Sequence, residues 1–218
     1  MAWMRMPRQT WPSAGAAFLG MWVAMMVAMM LPSLLPMLRR YRATVGTAGD
    51  GRLGRLTLLA GAGYFLVWTL FGVVVFPVGV ALASVEMRLP SLARAVPAAV
   101  GVVVLLAGAL QLTSWKARQL ACCRQRPAVP GRGRTLPADV GTAWRHGLRL
   151  GTDCVRCCAG LMAILLVIGV MDLGVMAIVS AAITVERIAP AGERVARGIG
   201  SVLAGSGLLM LARAAGLH

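Results

Sequence analysis

The sequence predicts an all-α protein, a polytopic transmembrane helix bundle of about five spans, and three observations carry that expectation. Of the 218 residues, 59% are hydrophobic and 13% charged, and the mean hydropathy is +0.78. This is more apolar surface than one soluble core of that size can bury. The apolar residues gather into runs long enough to cross a bilayer, and arginine-rich links separate the runs. Residues 1–218 read as a single integral membrane domain with no separate soluble module.

The first span is expected at 14–38. It holds Met21, Met25, Met26, Met29, Met30 and Met37 without a charge until Arg39. Leucine would serve lipid contact equally well, so clustered thioethers ask for a packing or a ligand reason. Pro32 and Pro36 free backbone carbonyls near the inner end, which protein or a polar cavity must satisfy. The run is too long for a signal-peptide core and lacks a small-residue cleavage site. The second span, 56–83, carries Tyr64 and Trp68 four residues apart, an interhelical packing pair whose polar handles could orient a site. The third, 95–112, ends near Gln111, a candidate for an interhelical hydrogen bond, and Lys116 is expected to snorkel toward the cytoplasm. A loop over 113–157 includes a Pro/Gly-rich linker at 127–137. The fourth span is expected at 158–185. The fifth, 196–212, has small residues at Gly200, Ser201, Ala204 and Gly205 that permit close helix approach.

The net charge of +15 is unevenly placed. With five spans, alternate sides carry fifteen and seven of the 22 lysine and arginine residues. The positive-inside rule then puts the 113–157 loop in the cytoplasm, the N-terminus outside and the C-terminus inside. Topology and anionic lipid account for the charge, and no aromatic-interleaved basic motif points to nucleic acid.

All five cysteines, Cys122, Cys123, Cys154, Cys157 and Cys158, fall in or at the edge of that loop, together with His146. A reducing compartment disfavours structural disulfides. The C-x-x-C spacing of Cys154 and Cys157 lets two sulfurs meet one ion across a turn. Counting onward from Cys158 at the helical period gives Met162, Leu165, Gly169, Asp172 and Met176 on one face. Asp172 would stand about 21 Å along the axis, near the bilayer centre, where a carboxylate needs a partner, water, a proton or a cation. Glu186 and Arg187 would sit at the outer end of this span, as an interfacial ion pair or as a functional one. If the first and fourth spans touch, Met25, Met26, Met29 and Met30 face Met162, Met171 and Asp172. The sulfurs would then line a route into the membrane.

Several motifs follow one another in order: M-W-V-A-M-M-V-A-M-M-L-P-S-L-L-P from Met21 to Pro36, G-Y-F-L-V-W from Gly63 to Trp68 and G-T-D-C-V-R-C-C-A-G-L-M from Gly151 to Met162. G-V-M-D-L from Gly169 to Leu173 and the pair Glu186-Arg187 complete the series. In this combination the chain resembles the bacterial family of predicted metal-binding integral membrane proteins, a domain of unknown function. The resemblance covers nearly the whole chain. It marks Met25, Met29, Met30, Cys154, Cys157, Cys158, Met162, Met171 and Glu186 as motif positions, and it implies a multi-pass protein of the bacterial inner membrane. Departures from the family pattern are Gln119 in place of a cysteine, Ala159 in place of an aromatic and Asp172 where asparagine is more usual. An N-terminal span common in relatives is also missing.

The expected function is the handling of a soft metal ion, Cu(I) ahead of Zn(II). Cys154, Cys157 and Cys158 would capture it at a cytoplasmic mouth with His146 as an optional further ligand, and Met25, Met29, Met30, Met162, Met171 and Asp172 would form a site within the membrane. Expected partners are the lipid bilayer, the metal ion and a metal-donor or metal-acceptor protein, with the oligomeric state open. Transport and delivery both remain open. No nucleotide-binding motif is present, which argues against an autonomous ATP-driven pump and against a nucleotide cofactor. No catalytic residues are assigned, and a non-enzymatic role is favoured. Two alternatives stand beside this reading: a membrane thiol-disulfide oxidoreductase cycling Cys154 and Cys157, and a non-catalytic membrane assembly subunit.

Overall fold

A computed structural model describes residues 9–45, 49–125, 137–170 and 172–216. They form seven helices: α1 (Trp11–Thr44), α2 (Asp50–Arg88), α3 (Pro90–Gln111), α4 (Ser114–Gln125), α5 (Val140–Ile168), α6 (Leu173–Ile188) and α7 (Gly192–Ala214). The all-helical expectation holds. Five helices are long and apolar enough to cross a membrane: α1, α2, the Arg94–Gln111 part of α3, α5 and α7.

The fourth span and the loop before it need correction. Cys154 and Cys157 do not lie in a loop: α4 occupies the start of the 113–157 segment, and α5 begins at Val140, well before Cys158. The Asp139 carboxylate starts α5 by accepting the Thr142 N–H at 2.8 Å, the usual device for an unpaired first-turn donor. Along α5, buried Ala143, Gly147, Leu150, Cys154, Leu161 and Leu165 alternate with exposed Arg145, Arg149 and Arg156 at helical spacing. The arginines that suggest a loop are the outer stripe of an amphipathic helix.

Nor is 158–185 one helix. α5 stops at Gly169, whose φ of 145° lies in the region that favours glycine. Asp172 then caps α6, with its Oδ1 accepting the Val175 N–H at 3.0 Å. The face that continuous counting builds from Cys158 to Met176 is therefore broken before Asp172.

This break reverses the chain. α1 and α2 are antiparallel, with the Phe18 and Phe76 rings in tilted contact at one end and Leu38 beside Gly61 at the other. α5 runs with α2, and α6 runs with α1, since Ser180 bonds the Met29 carbonyl and Arg187 the Ser33 hydroxyl. α7 runs against α3, pairing Gly200 with Gln111 and Gly207 with Leu105. With α6 as a short return of 16 residues, about 24 Å and less than a hydrocarbon core, the start of α1 and the end of α7 come to the same end of the bundle. Opposite-side termini, as a five-crossing count requires, do not follow. Assigned by chain segment to the two ends, the basic residues among the described ones divide fourteen against three, a sharper asymmetry than before. The fourteen mark the arginine-rich end.

Two glycine-mediated contacts fix the helices. Between α2 and α5, a Cβ on Gly147 would collide with the Ala60 carbonyl, and one on Gly151 would meet the Tyr64 carbonyl at 2.9 Å. Small residues here let the backbones touch. The same holds between α3 and α7 at Gly108, Gly200 and Gly207.

Candidate metal centre

The α2 and α5 backbones approach so closely at Gly147 and Gly151 that Tyr64 reaches the cysteine turn. Its hydroxyl donates to Cys154 Sγ at 2.9 Å, giving the tyrosine a site contact beyond the packing expected of it. Cys154 Sγ stands 3.9 Å from Cys158 Sγ and 4.0 Å from Met30 Sδ of α1. On this helical face the thiols that meet are the i, i+4 pair, Cys154 and Cys158. Cys157 turns instead toward α4, where its thiol is within hydrogen-bonding range of Cys123. The Cys123 thiol is held above its usual range, first by that hydrogen bond and then by burial. Its sulfur also lies 3.7 Å from the Asp153 carbonyl.

Methionine side chains share the buried cluster with this group. Met25, Met26, Met29, Met30 and Met162 are all buried in one cluster with Cys123, Cys154, Cys157 and Cys158. The serine hydroxyls of Ser180 and Ser33 bond the carbonyls of Met29 and Met30, just ahead of Pro32, and so hold this part of α1. Trp22 and Trp68 close the cluster on the far side, the Trp22 Nε1–H donating to the Trp68 carbonyl at 2.9 Å.

Two of the expected ligands fall elsewhere. His146 stacks on Tyr41 with ring centroids 4.8 Å apart, eight residues or about 12 Å along α5 from Cys154. Asp172 is exposed and engaged in capping α6. Met171 lies outside the described residues, as do 126–136, most of the linker expected at 127–137; of Cys122 only its place in α4 is described.

What sequence reading placed at the periphery is buried beside the sulfurs. Lys116 does not snorkel: it is 3% exposed, 2.9 Å from Glu186 Oε2 and 2.7 Å from the Cys157 carbonyl. Gln111 donates to the other Glu186 oxygen. Glu186 and Arg187 are not an outer interfacial pair, because the reversal at Gly169 carries them back to the level of Cys157. Arg187 turns away from Glu186, toward Ser33 Oγ at 3.3 Å and Cys123 Sγ at 3.9 Å. Only the break in α5–α6 would have revealed this, and its one sequence signal is the Gly169-to-Asp172 turn-and-cap pattern.

Among the described residues, no three His, Cys, Asp or Glu side chains are grouped to hold a metal ion by themselves. The soft donors that do meet are two thiols and a methionine sulfur at about van der Waals distance, a set that suits a soft monovalent ion. The bundle is, in class, a helical protein with a buried thiol-thioether centre. The chain belongs to the PpoB2 family of copper chaperones, whose family model matches residues 19–210, a stretch containing every residue of the centre. Its function is copper-related. No curated protein and no solved structure matches the chain.

Proposed function

We propose that this protein resides in a membrane, binds Cu(I) as cargo through Cys154, Cys158 and Met30, and delivers it to an acceptor protein. The observation that carries the reading is the convergence of the Cys154 and Cys158 thiols and the Met30 thioether from two helices, within 4.0 Å of the Cys154 sulfur. Thiolate and thioether ligands favour Cu(I) over hard ions. Met25, Met26, Met29 and Met162 extend the soft lining along α1 and α5 and would receive the ion from the cysteines. Cys157 and Cys123 would stand by as a second thiol pair. His146 and Asp172 take no part in this ligand set.

Cargo would reach the centre from the arginine-rich end. A cavity of about 680 Å³ opens there between α1, α4 and the α6–α7 turn, lined by Arg40, Leu120, Pro190, Glu193 and Arg194. Leu120 also belongs to the buried cluster that contains Cys123 and Cys157. Membership of a copper chaperone family favours metal handling over the thiol-disulfide and assembly-subunit alternatives.

The test is an anaerobic Cu(I) titration of the full chain in detergent against a chromogenic Cu(I) chelator, with wild type and the Cys154→Ser/Cys158→Ser variant. The proposal expects near-stoichiometric, chelator-resistant copper in wild type and its loss in the variant. Equal copper retention by both proteins would remove the assigned ligands. No retention by either would remove the copper reading and return the thiol-disulfide alternative.

A further inference from the structure

We propose that Arg187 makes the sulfur centre discriminate by ionic charge, admitting a monovalent soft cation and disfavouring divalent ones. The inference rests on the Cu(I) reading above and adds a specificity-determining residue to it. Arg187 is 6% exposed, and its guanidinium lies between Cys123 Sγ at 3.9 Å and Ser33 Oγ at 3.3 Å. Its Nε–H has no hydrogen-bond partner. The adjacent carboxylate, Glu186, is committed to Lys116 and Gln111, and among the described residues no carboxylate forms a salt bridge to Arg187. Lys116 and Glu186 together are neutral. Arg187 therefore brings a permanent positive charge, with no ion-pair partner among the described residues, to the buried cluster that holds the cysteine and methionine side chains.

A buried, unpaired charge is expensive, so its retention at this place points to what occupies the centre. Thiolates around a bound ion supply negative charge that the guanidinium offsets. The guanidinium repels a divalent ion twice as strongly as a monovalent one, because the interaction is linear in the charge of the ion. Asp153 and the Lys116–Glu186 pair form a background common to every variant at Arg187. Removing the guanidinium should consequently relieve Cd(II) or Zn(II) by about twice the logarithmic factor seen for Ag(I) or Cu(I).

The experiment measures Ag(I), Cu(I), Cd(II) and Zn(II) affinities by competition under anaerobic conditions, on the full chain in detergent, for wild type, Arg187→Gln, Arg187→Lys and Ser33→Asp. Ser33→Asp places a carboxylate against the guanidinium and cancels its charge without deleting it, so it carries the comparison if Arg187→Gln does not fold. The Cd(II)/Ag(I) affinity ratio is expected to rise about tenfold or more in Arg187→Gln and in Ser33→Asp, and to stay at the wild-type value in Arg187→Lys. An unchanged ratio in a folded charge-cancelling variant overturns the role of Arg187 and leaves the Cu(I) reading standing. Failure of wild type to bind Cu(I) or Ag(I) overturns that reading itself.

Discussion

The α2·α5 and α3·α7 helix pairs are joined by the same device. A Cβ on Gly147 would strike the Ala60 carbonyl of α2, and a Cβ on Gly207 would come 2.5 Å from the Leu105 nitrogen of α3. Around α2·α5, however, the close approach brings a phenol to a thiol, whereas around α3·α7 it leaves the outer faces to Val102, Leu106, Val202 and Leu208, all exposed. α1 and α5 also have 44% and 50% of their most apolar windows buried, against 17% for α2 and α7. Close packing by itself therefore makes a scaffold. It becomes a site only where the touching faces carry sulfur and polar partners, which here means α1, α2 and α5 with α4 and α6 around them.

The sharpest way to break this comparison is to disrupt both pairs. Overpacking a tight helix contact costs about 1–3 kcal/mol and occasionally more, so Gly147→Val and Gly207→Val should both lower the thermal midpoint. Only Gly147→Val should also weaken Cu(I) binding, since it moves Tyr64 and Cys154 apart. Loss of copper binding in Gly207→Val, at a temperature where that variant is folded, would show that the two pairs are not functionally distinct.

The largest stability loss is expected at the buried ion pair, which belongs to the site region alone. Removing one partner of such a pair costs about 3–5 kcal/mol, and Lys116→Met or Glu186→Leu should show it in denaturant unfolding. The double variant should lose less than the two singles combined, because neither buried charge is left alone. A smaller effect is expected from Tyr64→Phe, which removes one hydrogen bond of about 0.5–1.5 kcal/mol. Cu(I) affinity should fall by roughly twofold to tenfold with unchanged stoichiometry, as read by chelator competition. An unchanged affinity would reduce Tyr64 to packing.

The smallest effect concerns the start of α5. The Thr142 hydroxyl and N–H hold the exposed Asp139 carboxyl below the usual aspartate range. A group with a depressed folded value adds stability above its unfolded value, and that stability is lost as the pH falls through the folded one. Asp139→Ala should accordingly lower the thermal midpoint slightly at neutral pH and converge with wild type below the ordinary aspartate range. A difference that persists unchanged into acid would assign the effect to something other than the cap.

Much of the fold was legible because membrane-length apolar runs are a coarse signal, and α1, α2, α3 and α7 are close to where hydropathy places them. α5 was not, for a physical reason: hydropathy averages over all faces, and Arg145, Arg149 and Arg156 on the outer face hide the buried stripe of Gly147, Cys154 and Leu161. The proposed sulfur donors were candidates from composition, since Met30, Cys154 and Cys158 stand out by residue type. Their geometry depended on the helix boundary, because i, i+4 outranks C-x-x-C only once both residues lie on a helix. The roles of Lys116, Glu186 and Arg187 were hidden by the Gly169 reversal, which no hydrophobic period records.

The most direct test of the central claim is copper K-edge X-ray absorption on anaerobically Cu(I)-loaded protein, with wild type and Met30→Leu side by side. The account predicts an all-sulfur first shell in wild type and one fewer sulfur in Met30→Leu. A shell dominated by nitrogen or oxygen, or one identical in the two proteins, would contradict the thiol-thioether centre.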